Sequence, residues 1–193
     1  MAILEAARTL FLDHGYVATT IEAIAREAAV SPETIYAVFG TKRAVLSGLI
    51  DVSIAGDGDA PPILEQAWVE AMRAEPDPRR RLSILAKNGR AILERRAPID
   101  EVIRGAANAD AAIAELWERG KAQRYAGQLE LLRIVVGDVG LRAGMTLRTG
   151  ADILYSIGSP ETYRSLVVDR RWSGARFESW YEETLARLLL GSD

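Results

Sequence analysis

SPETIYAVFGTK, Ser31 to Lys42, is the stretch on which the reading of this sequence turns. Ser31 is a good N-cap, because a short hydroxyl side chain can accept from a backbone N–H that the first turn of a helix leaves unpaired. Pro32 suits the first helical position, where its missing N–H costs nothing. The spacing predicts a helix of barely two turns, with Ile35, Val38 and Phe39 inward. Glu33, Tyr36 and Ala37 share the opposite face, and Thr34 stands on its edge. Gly40 can stop that helix, and Thr41 can cap another that begins at Lys42 and buries Val45, Leu46, Leu49 and Ile50.

Working back from Ser31, Thr19 with Glu22 fits a capping box and Thr20 is an equally good N-cap. Either starts a short helix whose apolar face is Ile21, Ile24, Ala25 and Ala28. Before it, Ile3, Ala7, Leu10 and Phe11 recur at helical spacing, and Gly15 after His14 is a suitable stop. Only Ala29 and Val30 separate the second helix from the Ser31 cap, so those two helices meet through a tight turn and cross steeply. The pattern is a helix-turn-helix.

Composition narrows what such a motif can serve. The chain has 193 residues, 49% of them hydrophobic, enough to bury a substantial core. Its net charge is −3 and its pI about 5.4, so any anion-binding site is local rather than global. The absence of cysteine excludes disulfides, thiolate metal sites and Cys nucleophiles, and the single histidine, His14, argues against a multi-His metal centre or a Ser-His-Asp triad. No cofactor, metal or enzymatic activity is expected. No apolar run is long enough to cross a bilayer and the start is amphipathic rather than a signal peptide, so a cytoplasmic protein without a membrane partner is expected.

Helical spacing continues to the C-terminus and alternating strand patterns are scarce, so the fold class is all-α. GDGDAPP, Gly56 to Pro62, reads as a linker, and the expected division is a helix-turn-helix domain at 1–50 and a larger helical domain at 51–193. Within the latter, helices are expected over Ile63 to Ala74, from Asp77-Pro78 to a stop at Pro98, and over Ile99 to Ala107. Further helices run from Asp110 to Val136, from about Thr149 to Ile157, from Ser159-Pro160 to Val168, and from a Ser173 cap to Leu190.

A short helix presenting Pro32, Glu33, Thr34, Tyr36 and Ala37 suits entry into a DNA major groove. Lys42 opens the next helix, where free N–H groups and the dipole already favour a phosphate, and the Tyr36 hydroxyl can donate to a second one. In these segments, ILEAARTLF, TTIEAIAREAAVS and ETIYAVFGTKRAVL, the sequence resembles the TetR-like (TetR/AcrR) family of one-component transcriptional repressors over about residues 3 to 50. The likeness extends more loosely to Ser159-Pro160-Glu161-x-Tyr163 and Trp172-Ser173. It implies a three-helix DNA reader, a larger helical domain that binds a small-molecule effector, and a homodimer built from the last two helices. On the family pattern Thr20, Thr34, Tyr36 and Lys42 would touch the backbone or lie near the bases of a double-stranded, palindromic operator, with Pro32, Glu33 and Ala37 closest to the bases.

Two features depart from that pattern. The family often has Gly where Ala29 stands, at a turn position that tends toward φ > 0. Members commonly begin with a basic arm, whereas residues 1–48 here hold four basic and five acidic side chains, a net of −1. Either a basic leader precedes the sequence or binding is weak and salt-sensitive. The rival expectation is a helical small-molecule carrier or enzyme that has lost DNA binding.

Several side chains carry a second, plainer reading. Tyr36 could cover helix two, Glu33 could support its own helix N-terminus, His14 could be a solvated helix end, Asp57 and Asp59 a simple turn, and Arg79 to Arg81 a solvated helix start. Candidate effector contacts are Trp68, Met72, Asn88, Ile103, Trp117 and Tyr155, each bulky or polar beside a face that otherwise reads as core. The last helix spreads Phe177, Trp180, Tyr181, Leu185 and Leu188 over a wide apolar arc, and with Leu154 these are the candidate dimer contacts.

Overall fold

A computed structural model describes residues 2–56 and 61–190. Its elements are α1 (Ala2–Ala18), α2 (Ile21–Glu27), α3 (Pro32–Phe39), α4 (Lys42–Ala55), a 3-10 turn (Ile63–Glu65), α5 (Ala67–Ala74), α6 (Pro78–Ala107) and α7 (Ala111–Val136). They continue with α8 (Leu147–Ile157), α9 (Pro160–Tyr163) running into a π-helical segment over Arg164–Asp169, and α10 (Gly174–Leu185) running into another over Ala186–Leu190. The described residues contain no strand, as an all-α reading requires. Asp57 and Asp59 fall outside the described residues.

Packing divides the chain into two compact units, Met1–Ala60 with Pro98–Gly120, and Pro61–Ala97 with Lys121–Asp193. The first has a core of Phe11, Ile24, Ile35, Val45 and Leu46, joined by Ile99, Ile103, Ala106 and Ile113 from later in the chain. The second is built on Val69, Met72, Leu82, Leu132, Leu154, Phe177, Leu185 and Leu189. Each unit draws on two separate stretches of the chain.

Capping chemistry sets most helix starts. Side-chain oxygens of Thr20, Ser31, Thr41, Thr146, Ser159 and Ser173 each accept the backbone N–H three residues on. Of the two threonines before α2, Thr20 is therefore the cap. Thr19 is buried and donates instead to the Leu10 and Gly15 carbonyls, at 3.1 and 2.8 Å, sealing the end of the first helical run. That run is interrupted at Gly15, whose φ of 77° is open to glycine alone at little cost.

Three sequence expectations fail for identifiable reasons. Pro98 does not end a helix: α6 runs through it, because the loss of about 3 kcal/mol expected for an interior proline is offset by burial of its neighbours Ala97 and Ile99. Ile63 to Ala74 is not one helix, since Gln66 turns extended and its amide is spent on the Pro61 carbonyl and the Trp68 indole. Val38 points outward, 64% exposed, because Ile35 and Phe39 alone define the inward side of so short a helix.

Ala29, in the turn between α2 and α3, has φ 54°, the left-handed conformation that a Cβ disfavours. Ala29→Gly should raise stability by up to about 1 kcal/mol, read as a higher urea midpoint with unchanged slope. In the second unit, a Cβ at Gly158 would stand 2.3 Å from the Tyr181 hydroxyl and 3.0 Å from the Leu154 carbonyl oxygen. Gly158→Ala should cost about 1–3 kcal/mol in the same measurement, and Tyr181→Phe in the same chain should restore part of that loss by removing the nearer atom.

Candidate nucleic-acid interface

Ile35 is the buried anchor of α3, and around it Glu33, Thr34, Tyr36 and Ala37 are exposed while Pro32 is half-buried. Tyr36 is 49% exposed. The helix is held at both ends. Ser31 Oγ accepts the Thr34 N–H at 3.2 Å and lies 3.2 Å from the Thr34 hydroxyl, while the Gly40 N–H closes on the Tyr36 carbonyl at 2.9 Å with Gly40 at φ 73°. The Glu33 carboxyl is held below its ordinary range by its own backbone N–H and then by the Ser31 hydroxyl, so in the free protein it serves the helix start. Thr20 is exposed and its hydroxyl oxygen accepts the Ala23 N–H at 3.1 Å.

Lys42 has a role that local sequence did not announce. Its Nζ donates to the carbonyls of Tyr16 at 2.8 Å and Thr19 at 2.6 Å, and lies 4.3 Å from the centre of the Tyr16 ring. The first turn of α4 is thereby tied to the chain between α1 and α2. Burial pushes the Lys42 ammonium below its ordinary pKa, with Asp110 opposing, and burial raises the Tyr16 phenol. An ammonium has three protons. Two are committed here, and one is left for an outside acceptor.

The candidate effector contacts are divided between the two units. Trp68 is half-buried with its indole N–H bonded to Gln66 Oε1 at 2.8 Å, Met72 is fully buried, and Asn88 donates to the Ile84 carbonyl at 2.8 Å. Tyr155 meets Tyr125 with ring centres 5.7 Å apart. These four belong to the second unit, whereas Ile103 and Trp117 pack in the first. Of the candidate dimer contacts, Leu154, Phe177, Tyr181 and Leu185 are buried in the chain's own core, because the α10 arc closes on α8 and on the aromatic cluster of Tyr163 and Phe177. Only Trp180 and Leu188 keep partial exposure.

Residues that sequence reasoning missed lie on α7. Arg124 and Gln128 sit one turn apart on the helix that sends Leu131, Leu132 and Val135 into the core, and Arg124 Nη1 and Gln128 Oε1 are both buried without a hydrogen-bond partner. The signal available beforehand was two polar side chains interrupting an apolar stripe at helical spacing.

Residues 3–49 match the family of bacterial regulatory proteins, tetR family. None of the curated protein sequences matches the chain. Among solved structures, the transcriptional regulator FadR from Bacillus subtilis in complex with stearoyl-CoA is similar with a TM-score of 0.75 at 16% identity, covering 100% of this chain and 99% of that one. A transcriptional regulator from Saccharomonospora viridis in complex with choline gives 0.70 at 19% over 97% and 95%. NalD from Pseudomonas aeruginosa, the secondary repressor of the MexAB-OprM multidrug efflux pump, gives 0.68 at 22% over 98% and 95%. At these identities the likeness establishes the fold, an N-terminal helix-turn-helix domain followed by a larger helical domain.

The clamp made by Lys42 has a measurable consequence. Lys42→Met should lower the stability of the free protein by about 1–3 kcal/mol in urea unfolding, because two carbonyls lose a charged donor. A lysine present only to grip phosphate would leave the midpoint where it was.

Proposed function

We propose that this chain, whose residues 3–49 carry the tetR-family domain and whose whole length takes the fold of TetR-type regulators, is a ligand-responsive transcriptional regulator acting as a repressor. It binds a palindromic double-stranded operator as a homodimer in the cytoplasm, and a small-molecule effector releases it. The observation that carries this reading is α3 itself: eight residues, pinned at both ends and anchored by one buried isoleucine, with a polar outer face small enough to enter a major groove.

In this reading Tyr36 donates its hydroxyl to one phosphate, and the third Lys42 proton reaches a second. Thr20 and Thr34 stand at the backbone, while Pro32, Glu33 and Ala37 face the bases. Glu33 would leave its helix-capping bonds to accept from a cytosine amino group. A two-fold partner would rest on Trp180 of α10 and Leu188 of the π-helical segment after it, both partly exposed in a single chain. Two reading helices held about 34–36 Å apart would then match successive major grooves. The fold has room for effector chemistry of more than one kind, as the stearoyl-CoA and choline complexes of its structural neighbours illustrate, and an effector acts here only as far as it distinguishes two dimer geometries.

Titration of the protein onto DNA from its own upstream region should give a sequence-selective shift that weakens with salt, with a shallow slope because few basic side chains are available to neutralise phosphates. Tyr36→Phe should weaken that shift several-fold while leaving the fold intact, at roughly 1 kcal/mol for one phosphate contact. A protein that stays monomeric, or that binds all sequences alike, is not the regulator described here.

A further inference from the structure

Arg124 lies with its guanidinium over the Tyr155 ring, Cζ 4.0 Å from the ring centre. A guanidinium seated on an aromatic face is fixed in orientation, and its edge is what remains for other groups. On that edge Nη1 is buried and meets no acceptor, and no carboxylate among the described residues forms an ion pair with Arg124. One turn further along α7, Gln128 donates its Nε2 to the Gly158 carbonyl at 3.2 Å, which fixes which way its amide points and leaves Oε1 buried and unpaired. Tyr181, fully buried, abuts Gly158, and burial holds its phenol well above the ordinary pKa, so it supplies no negative charge.

The local inventory is thus one uncompensated cation with a free donor beside one free acceptor, in a surround of tyrosine rings. Leaving a buried donor and a buried acceptor unpaired costs free energy for each, and more for the one that is charged. A chain selected for stability alone would carry Met and Leu at these two positions, as the neighbouring Leu131, Leu132 and Val135 suggest. Water can satisfy the donor and the acceptor but not the charge. An anion that also carries an O–H or N–H satisfies all three.

We propose that Arg124 and Gln128 are the receiving site for the polar end of the effector, and that this end is a carboxylate with an O–H or N–H donor close beside it. The carboxylate accepts from the free edge of Arg124, and the adjacent donor bonds to Gln128 Oε1. Tyr155 supplies the aromatic wall, and Tyr125, in ring contact with it, also lines an open groove of 590 Å³ with Leu129, Arg133, Leu147, Arg148 and Asp152. The biological meaning of the site rests on the effector-responsive reading given above, but its test does not need DNA.

The test is thermal unfolding of the full chain and of Arg124→Met and Gln128→Leu, each alone and with millimolar benzoate, salicylate or benzamide as probes. With the site as proposed, both variants melt above the wild type when no probe is present. Salicylate raises the wild-type midpoint more than benzoate does, and benzamide leaves it unmoved. Arg124→Met abolishes both carboxylate shifts, and Gln128→Leu removes only the advantage of salicylate over benzoate. Variants that melt below the wild type would mean that ordered water and ring packing already satisfy these groups, and the proposal falls. It falls equally if no carboxylate moves the wild-type midpoint, or if the shift survives in Arg124→Met. A protein that passes but ignores DNA keeps the anion site and loses the regulator reading, and one that shifts DNA but fails here loses the anion site alone.

Discussion

The ammonium of Lys42, set on the carbonyls of Tyr16 and Thr19, is the constraint on which the presentation of α3 depends. Helix α3 is only eight residues long and has one fully buried side chain, Ile35, so its own packing cannot fix its attitude. Its attitude is set by what lies on either side: the turn through Ala29 before it, and Gly40 and Thr41 after it. Lys42 closes this arrangement by fastening the start of α4 to the chain that leads into α2. A helix pair and its outer helix are thereby joined through a single charged side chain in addition to their shared apolar core.

The second unit is organised differently. Its C-terminal helix contributes rings rather than charge, with Phe177 between Tyr163, Trp180 and Tyr181 at centre distances of 5.0 to 5.7 Å, and an ion pair from Arg90 to Glu178 flanks them. Close aromatic packing needs small neighbours. Gly89 and Gly158 both give way to Tyr181, so two glycines with ordinary backbone angles are required for space and not for conformation. The same crowding brings Gln128 to the Gly158 carbonyl and leaves the polar edge of α7 facing inward.

Most of the fold was legible in the sequence because caps are local. Ser31, Thr41, Thr20 and Ser173 act on a backbone group three residues away, and no knowledge of the remainder of the chain is needed to read them. What failed was set by distant partners. Pro98 looks like a stop until burial on both of its sides is known, and Val38 looks buried until Phe39 is seen to take the inward position. The first-turn position of Lys42 is visible in the sequence, while its bonds to the carbonyls of Tyr16 and Thr19, more than twenty residues earlier, are not. The apolar arc of α10 was read as a dimer surface, and most of it packs into the chain's own core, a use that spacing alone does not show. Arg124 and Gln128 were passed over for the opposite reason, since charged and polar side chains on a long helix are ordinarily solvated.

The core of the first unit is discontinuous along the chain, with Ile99, Ile103, Ala106 and Ile113 packed among residues from the first fifty. During synthesis, the N-terminal helices therefore emerge with an apolar surface that has no cover until the chain past residue 113 has been made. Nascent chains shorter than that hold an unfinished hydrophobic face, open to chaperones. The gene cannot be cut after the fourth helix to yield a freestanding headpiece with its native interior.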